Sequence, residues 1–328
     1  MSEGFTWHGG RLDEARAHFG SPAEAWIDLS TGINPEPWPG VGAFAADWTA
    51  LPSPAKLRTL EATAARHFGV DNDHICALPG SEMGLRLLPQ VLRLPGFHIA
   101  PTYRTHGAVF PQSLVLDDER DLPQSAAALL VANPNNPDGR VHPAATLLDW
   151  LERTEQTAGW LLLDEAFADV DPEISLASHV DDARRLILFR SFGKFFGLAG
   201  LRLGFVLGPR AIIARYKQLL GDWPVHAGAL GVGIAAYDDS KWIEATRQQL
   251  RAKAARLDAL LSGHRLTLLG QCPLFRLVET DNAQALFERL ARRSILTRPF
   301  DYAPNWLRLG LPGSEEAWQR LDQALANG

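Results

Sequence analysis

The chain has 328 residues, 46% hydrophobic and 21% charged, and its net charge of -6 argues against a general nucleic-acid binder, which needs clustered Lys and Arg. Its two cysteines, Cys76 and Cys272, lack the spacing of a metal site, so we expect no bound metal and a reduced, cytoplasmic setting. The sequence shows neither a basic, apolar N-terminal leader nor an apolar stretch of membrane-spanning length, so we expect no secretory signal and no membrane partner.

The first forty residues are rich in Gly, Pro and Trp, and residues 34–40 contain three prolines. Such a stretch is incompatible with a regular helix or a central strand, so it predicts an arm or a connecting loop. Between residues 74 and 208, short apolar runs alternate with helical patterns, which predicts an α/β layer with a mostly parallel sheet. The predicted strands are 74–78, 97–100, 113–116, 127–132, 160–163, 186–189 and 203–207, and the predicted helices lie near 82–92, 144–157 and 209–220.

The C-terminal third has a different pattern, with a long helical stretch followed by short strands mixed with helices. The helical stretch is 226–262, the later strands are 266–269 and 274–278, and the later helices lie near 283–293 and 315–326. This pattern predicts a smaller α+β domain. We therefore divide the chain into an arm at 1–40 that packs with the small domain, a large domain at 41–222 and the small domain at 223–328.

Residues 191–204 set one lysine, Lys194, among glycines and aromatic residues. Apolar surroundings disfavour a charged amine, and an uncharged amine is the nucleophile that Schiff-base chemistry requires. The nearby Ser191 and Arg202 are suited to hold an anion such as a phosphate. The alternative is a solvated surface lysine in a glycine-rich turn.

Three further candidates follow predicted strands, at the sheet edge where α/β proteins build their sites. Asp164 is suited to face a protonated ring nitrogen, Asn136 to donate a hydrogen bond to a ring oxygen, and Tyr103 to stack on a planar ring. Each also has an ordinary structural interpretation: a helix cap for Asp164, a surface turn for Asn136 and a packed core residue for Tyr103.

Two more features indicate anion binding. Gly80 and Ser81 join a predicted strand to a predicted helix, where free backbone N–H groups and the helix dipole favour an anion, although Ser81 could serve as a plain N-cap. Arg298 and Arg308 lie in short apolar segments, where an arginine is costly unless it is paired. A carboxylate or phosphate ligand would supply that pairing.

Three motifs, in this order and spacing, resemble those of fold-type I pyridoxal-phosphate enzymes of the class I/II aminotransferase family. They are Asn136-Pro137-x-Gly139, Asp164-Glu165-Ala166-Phe167, and Ser191-x-x-Lys194 followed by Arg202. The resemblance covers nearly the whole chain. It implies a large domain that binds pyridoxal 5'-phosphate on a mostly parallel seven-stranded sheet between helices, and a smaller α+β domain.

The resemblance also implies a role for each candidate. Lys194 would form the Schiff base with the cofactor and later carry a proton, and Asp164 would pair with the pyridinium nitrogen. Asn136 would hydrogen-bond the ring oxygen, and Tyr103 would stack on the ring. The residues that surround the cofactor phosphate would be Gly80, Ser81, Glu82, Ser191 and Arg202.

Within this family, the arm and the tail resemble cobalamin-pathway threonine-phosphate decarboxylases, whose close relatives are the histidinol-phosphate aminotransferases. The resemblance implies decarboxylation of L-threonine O-3-phosphate to (R)-1-aminopropan-2-yl phosphate in cobalamin (vitamin B12) biosynthesis, with histidinol-phosphate or related transamination as the alternative. A third possibility is a non-catalytic phosphate- or nucleotide-binding protein in which Lys194 only neutralises charge. The residues that would grip the phosphate and carboxylate of the substrate are His8, Gly9, Asn34, Arg298 and Arg308.

The sequence departs from the family pattern at two positions. The family often has a tyrosine where this chain has Phe167, which removes one donor to the ring oxygen. Many relatives also have a Tyr-Pro pair whose tyrosine reaches the phosphate of the partner subunit, whereas this chain has Leu51-Pro52 in that region. The resemblance still implies a homodimer.

Overall fold

The structure is a computed structural model, and it describes residues 4–20, 24–116 and 121–326. Within these ranges the α-helices are α1 (Gly4–Trp7), α2 (Leu12–Phe19), α3 (Pro54–Phe68), α4 (Ser81–Leu92), α5 (Arg104–Val109), α6 (Ala144–Gln156), α7 (Phe192–Phe195), α8 (Arg210–Leu220), α9 (Ala227–Asp238), α10 (Ser240–Gly263), α11 (Ala283–Ala291) and α12 (Glu315–Ala326). The strands are β1 (Ile27–Asp28), β2 (Ile75–Leu78), β3 (Gly96–Ile99), β4 (Ser113–Leu116), β5 (Ala128–Ala132), β6 (Trp160–Asp164), β7 (Leu186–Ser191), β8 (Gly204–Leu207), β9 (Thr267–Leu269), β10 (Phe275–Glu279), β11 (Ile295–Leu296), β12 (Arg298–Pro299) and β13 (Trp306–Gly310). No helix within these ranges is long and apolar enough to cross a membrane.

The chain divides into two compact units. The first, called here the arm-and-tail unit, comprises Met1–Glu36, Pro137–Arg140 and Gln248–Gly328. The second, called here the sheet unit, comprises Pro37–Asn136 and Val141–Arg247.

The sheet unit contains a seven-stranded sheet in the order β2-β8-β7-β6-β5-β3-β4. Only β8 runs against its neighbours, since it pairs antiparallel with both β2 and β7, and the remaining pairs are parallel. The predicted α/β fold with a mostly parallel seven-stranded sheet is therefore confirmed. Each predicted strand of this sheet agrees with an observed strand to within two residues at either end.

The central strands are buried along almost their whole length, which explains their continuous apolar sequences. Every residue of β5 is buried, as are all residues of β6 after the first. A strand covered by helices on both faces needs apolar side chains on both, which removes the alternation of a half-exposed strand. The apolar runs were therefore a sound guide to these strands.

Helix α4 packs closely against the sheet because it carries a glycine at the contact. A Cβ atom on Gly84 would lie 2.5 Å from Leu78 Cδ1 and 2.9 Å from Phe189 Cε1. Tyr216, on α8, donates a hydrogen bond from its hydroxyl to the Gly84 carbonyl at 2.9 Å. Since α4 begins at the edge of the sheet where its predicted anion site lies, this contact also sets the position of that helix start.

Helix α3 is an element that the sequence analysis did not predict. Its signals are nevertheless in the sequence: Ser53 caps the helix through its side chain, Pro54 occupies the first turn, and Gly69 follows in the left-handed conformation. The helix packs against α9 and β2.

The arm-and-tail unit is built on a four-stranded antiparallel sheet in the order β12-β13-β10-β9. A separate parallel pair joins β1 of the arm to β11, with Ile27 opposite Ile295. The arm also contains α1 and α2, which were not predicted, whereas residues 34–38 form neither helix nor strand, as their prolines require. Pairing with β11 fixes the arm within this unit.

Replacing Gly84 with alanine tests the contact between α4 and the sheet. We expect the free energy of unfolding of Gly84→Ala to fall by about 1–3 kcal/mol, because the added methyl group overpacks a closed core. Gly263→Ala, at the end of α10, is the control, since a Cβ atom there meets nothing within 4 Å. Denaturant unfolding should show the control unchanged or more stable, and equal stability of Gly84→Ala would contradict the close packing.

Candidate active site

The strand register gathers the candidate residues of the sheet unit at one edge. Asp164 ends β6, opposite Ala132 at the end of β5 and opposite Phe189 in β7. Asn136 lies in the loop after β5, and Lys194 lies on the short helix that follows β7. Because β5, β6 and β7 are parallel, these three candidates leave the sheet at the same edge.

The predicted anion site forms where β8 lies between β2 and β7. Gly204 pairs with Ser191 on one side, and a Cβ atom on Gly204 would lie only 2.5 Å from the backbone nitrogen of Ser81. Gly80 has a φ of 89°, and a Cβ atom there would lie 2.7 Å from Arg202 Nη2. The start of α4, a serine and a guanidinium group therefore converge at one place.

This set of donors fits a phosphate group. A helix start offers backbone N–H groups and a positive dipole end, and a guanidinium group adds charge-assisted hydrogen bonds. The lack of a side chain at Gly80 allows Arg202 to lie directly against the helix start. The structure thus brings together four of the five residues predicted to surround a cofactor phosphate, namely Gly80, Ser81, Ser191 and Arg202.

Glu82, the fifth predicted phosphate residue, directs its side chain elsewhere. Its Oε1 accepts hydrogen bonds from Arg86 Nε at 2.7 Å and from Thr105 Oγ1 at 3.0 Å. Burial raises the pKa of the Tyr103 hydroxyl to about 12, and the Glu82 carboxylate adds to that increase. Glu82 therefore contacts the start of α5, next to Tyr103, and any contact with a phosphate falls to its backbone N–H group.

Asp164 is buried and held by a histidine that the sequence analysis missed. His106 is fully buried, and its Nε2 lies 3.1 Å from Asp164 Oδ2, while its Nδ1 lies 2.9 Å from Thr102 Oγ1. The backbone N–H of Ala166 donates to the other carboxylate oxygen of Asp164 at 3.2 Å. The spacing of Tyr103 and His106, three residues apart at the start of a helix, was the available signal.

Lys194 faces an aromatic ring. Its Nζ lies 5.7 Å from the centre of the Phe167 ring, which is almost fully buried. Phe192 and Phe195, on the same short helix as Lys194, are buried as well. The lysine amine therefore has an aromatic ring nearby, and this ring carries no hydrogen-bonding group.

Asn136 is buried at the end of a loop that its neighbouring asparagines hold in place. Asn135 Nδ2 donates to the Pro101 carbonyl at 2.8 Å. Asn133 exchanges two hydrogen bonds with the backbone of His142. These contacts fix the loop against the end of the sheet and leave the Asn136 amide at the edge that carries Asp164.

In the arm-and-tail unit, the structure places two arginines side by side. Arg298 and Arg308 are directly opposite each other in the β12–β13 pair, and both are nearly fully buried. Arg298 Nη2 donates to the Trp7 carbonyl at 3.1 Å, and Arg308 Nη2 donates to the Ser30 carbonyl at 2.8 Å. Burial and the neighbouring Arg298 lower the pKa of Arg308 well below its ordinary value. Two adjacent buried cations are electrostatically unfavourable, and an anionic ligand would relieve that repulsion.

The other predicted substrate residues lie on the arm of the same unit. Gly9 packs so tightly that a Cβ atom would lie 2.2 Å from the Ser30 carbonyl oxygen, which brings His8 beside the segment that accepts a bond from Arg308. Asn34 is buried, and its Oδ1 accepts a hydrogen bond from the backbone of Glu36 at 3.0 Å. The arm thus places Gly9 and His8 beside Ser30, whose carbonyl accepts the hydrogen bond from Arg308.

Comparison with known proteins gives a family match and close relatives. The model of the family described as aminotransferase class I and II matches residues 115–325. A threonine-phosphate decarboxylase of Sinorhizobium sp is 40% identical, with 97% of each chain covered. A histidinol-phosphate aminotransferase of Chromohalobacter salexigens is 29% identical, with 93% of each chain covered.

The fold also matches a solved structure. The histidinol-phosphate aminotransferase of Sinorhizobium meliloti in complex with pyridoxal-5'-phosphate has a TM-score of 0.81 to this chain. The match covers 96% of this chain and 94% of that protein, at 19% identity. At this identity the match concerns the fold.

Replacing Gly80 with alanine tests the phosphate cradle. The new methyl group would displace the Arg202 guanidinium, and charge-assisted hydrogen bonds are worth about 1.5–3 kcal/mol each, so we expect the affinity for pyridoxal phosphate to fall about 10- to 100-fold. Fluorescence titration of the apoprotein measures this affinity. Gly42→Ala, where a Cβ atom meets nothing within 4 Å, should bind normally. Unchanged affinity of Gly80→Ala would remove Arg202 from the cradle.

Proposed function

The chain belongs to the family of class I and II aminotransferases, and from this premise we propose that it decarboxylates L-threonine O-3-phosphate to (R)-1-aminopropan-2-yl phosphate in cobalamin biosynthesis. Its cofactor is pyridoxal 5'-phosphate. The observation that carries the proposal is the adjacent buried pair Arg298 and Arg308, which suits a substrate with two anionic groups. The relative with 40% identity, a threonine-phosphate decarboxylase, supports the same substrate.

The choice of reaction depends on how the substrate is held. When bound, pyridoxal phosphate supplies an electron sink for the bond at the substrate Cα that lies perpendicular to its ring. Arg298 and Arg308 bind the anionic groups of the substrate and so decide whether its carboxylate or its hydrogen takes that orientation. Decarboxylation requires the carboxylate to be perpendicular, whereas transamination requires the hydrogen to be.

The residues of the sheet unit hold the cofactor and move protons. Asp164, held by His106, would accept a hydrogen bond from the protonated ring nitrogen of the bound cofactor and so keep the proton there. Lys194 would hold the cofactor covalently through its amine, and the same amine, when free, would carry a proton. Tyr103 would pack on the ring, and Asn136 would donate to the ring oxygen, to which Phe167 offers no donor.

We further propose that the enzyme is a cytoplasmic homodimer that binds neither nucleic acid nor membranes. The sheet unit exposes large apolar side chains at Phe44, Trp48, Leu51 and Trp223, which suits contact with a second copy. Cys76 and Cys272 are buried and form no disulfide, as expected in a reducing compartment. The net charge of -6 disfavours binding to nucleic acid.

The proposed reaction predicts CO2 release from threonine phosphate without an added keto acid. Lys194→Ala should lose turnover by many orders of magnitude, since proton transfer alone contributes about two to four decades, while still binding pyridoxal phosphate weakly. The assay compares CO2 release with 2-oxoglutarate-dependent formation of a keto acid from histidinol phosphate. Turnover only in the second reaction would favour an aminotransferase. A bound pyridoxal phosphate linked to the protein should give a visible absorbance band that borohydride bleaches. The absence of such a band would contradict both enzymatic functions.

Replacing Arg308 with alanine should raise the KM for threonine phosphate about 10- to 100-fold, because a charged hydrogen-bond pair worth about 1.5–3 kcal/mol is lost, with little change in cofactor occupancy. The inhibition constant of (R)-1-aminopropan-2-yl phosphate, which lacks the carboxylate, identifies the group that Arg308 binds. Weaker inhibition of Arg308→Ala indicates phosphate binding, and unchanged inhibition indicates carboxylate binding. An unchanged KM would exclude Arg308 from substrate binding.

A further inference from the structure

A buried ion network adjoins the cofactor residues of the sheet unit in sequence. Arg190 directly precedes Ser191, and Glu165 directly follows Asp164. Arg190 Nη1 donates to Glu165 Oε2 at 2.7 Å, and Arg190 Nη2 donates to Asp169 Oδ1 at 2.8 Å. All three members of this network are at most 2% exposed. The network therefore lies wholly inside the protein, one residue away from two predicted contacts of the cofactor.

The network lies on the face of the sheet opposite the site. Ser191 and Arg190 are successive residues of β7, so their side chains point to opposite faces. Glu165 continues the ladder beyond β6, since its N–H donates to the Phe189 carbonyl at 2.9 Å, so it points away from the face of Asp164. Each strand end thus presents one side chain to the cofactor and the next to the network.

The network joins three segments of chain. Glu165 directly follows β6, and Arg190 is the next-to-last residue of β7. Asp169 lies in the turn after β6 that also carries Phe167. The backbone N–H of Leu176 donates to Glu165 Oε1 at 2.9 Å and extends the network to the following segment. The guanidinium group of Arg190 therefore connects the segments that carry Asp164, Phe167 and Ser191 and fixes their relative positions.

Stability alone does not account for this arrangement. Taking charges out of water costs several kcal/mol per ion, and a buried ion pair is often no more stable than apolar side chains of the same volume. The pair does fix geometry, because a guanidinium group has donors in a rigid planar fork. Burial raises the pKa of Asp169, but the neighbouring Arg190 and His67 outweigh burial and lower this pKa to about 2. The Asp169 carboxylate therefore keeps its charge at neutral pH.

We propose that Arg190 is a positioning residue for the reaction. Its fork fixes Glu165 and Asp169, and through them the strand ends that present the cofactor residues. The proposal rests on the proposed function in one respect, namely that Asp164, Ser191 and Lys194 hold pyridoxal phosphate. Arg190 itself does not touch the cofactor or the substrate in this arrangement, since it faces the other side of the sheet.

The test replaces Arg190 with lysine, which keeps the charge and loses the fork. Arg276→Lys is the matched control, because Arg276 is also buried and forms a two-pronged ion pair, with Asp258, in the arm-and-tail unit. We expect both variants to lower the melting temperature of the apoprotein. Only Arg190→Lys should weaken pyridoxal phosphate binding, by about 10-fold or more, and shift the pH midpoint of the absorbance of the bound cofactor. Its kcat should fall about 10- to 100-fold, with KM for threonine phosphate changed less than about threefold, as expected for misplaced catalytic groups.

In the opposite outcome, Arg190→Lys loses stability like the control and keeps the wild-type cofactor affinity, absorbance titration and kcat. Arg190 would then serve stability only, and the proposal would be overturned. If Arg190→Lys does not fold, Glu165→Gln replaces it, because the amide oxygen still accepts from Arg190, while the charge and the acceptor for the Leu176 N–H are removed. Glu165→Gln should change the cofactor affinity and the pH midpoint of the absorbance in the same direction as expected for Arg190→Lys, but by a smaller amount. Wild-type values of both quantities in Glu165→Gln would overturn the proposal. If the wild-type enzyme releases no CO2, the proposed function is refuted. The affinity of the apoprotein for pyridoxal phosphate, compared between wild type and Arg190→Lys, tests the role of Arg190 independently of that result.

Discussion

The site depends on the register of one antiparallel strand in an otherwise parallel sheet. Gly204, the first residue of β8, pairs with Leu78 at the end of β2 and with Ser191 at the end of β7. Because β8 runs in the opposite direction, it begins at the edge where its two neighbours end. The segment before it brings Arg202 to the start of α4, which places a cation at the proposed phosphate site. A glycine at 204 is required because a side chain there would occupy the space of the Ser81 N–H group.

The buried arginines of the two units have different charged neighbours. In the sheet unit, the buried charge of Arg190 is paired with the carboxylates of Glu165 and Asp169, so this cation has its counter-ions within the protein. In the arm-and-tail unit, Arg298 and Arg308 lie side by side, and burial lowers the pKa of Arg308 with help from its neighbour. The first arrangement maintains a shape, and the second favours a doubly anionic ligand. The residues proposed for the cofactor and those proposed for the substrate therefore come from different parts of the sequence.

The sequence predicted what local pattern determines. The apolar strands, the position of Lys194 in an apolar segment and the strand-end positions of Asp164 and Asn136 all follow from runs of adjacent residues. The contacts of His106 and Arg190 were not predicted, because each depends on a partner 58 or 21 to 25 residues away whose side chain meets it only in the folded sheet. The short arm helices were missed for a related reason, since tertiary contacts stabilise helices of that length more than propensity does. The domain boundaries and the roles of the site residues stay predictions.

Phe167 lies between the buried ion network of Arg190 and the lysine of the candidate active site. It belongs to the turn that Asp169 fixes to Arg190, and its ring lies 5.7 Å from Lys194 Nζ. A ring without a hydroxyl group gives the cofactor oxygen no donor, so in the proposed site the Asn136 amide would carry that hydrogen bond. The position of the ring then matters more than its polarity, and position is what the ion network behind it controls. The ion network on one face of the sheet and Lys194 on the other are therefore connected through the turn that carries Phe167.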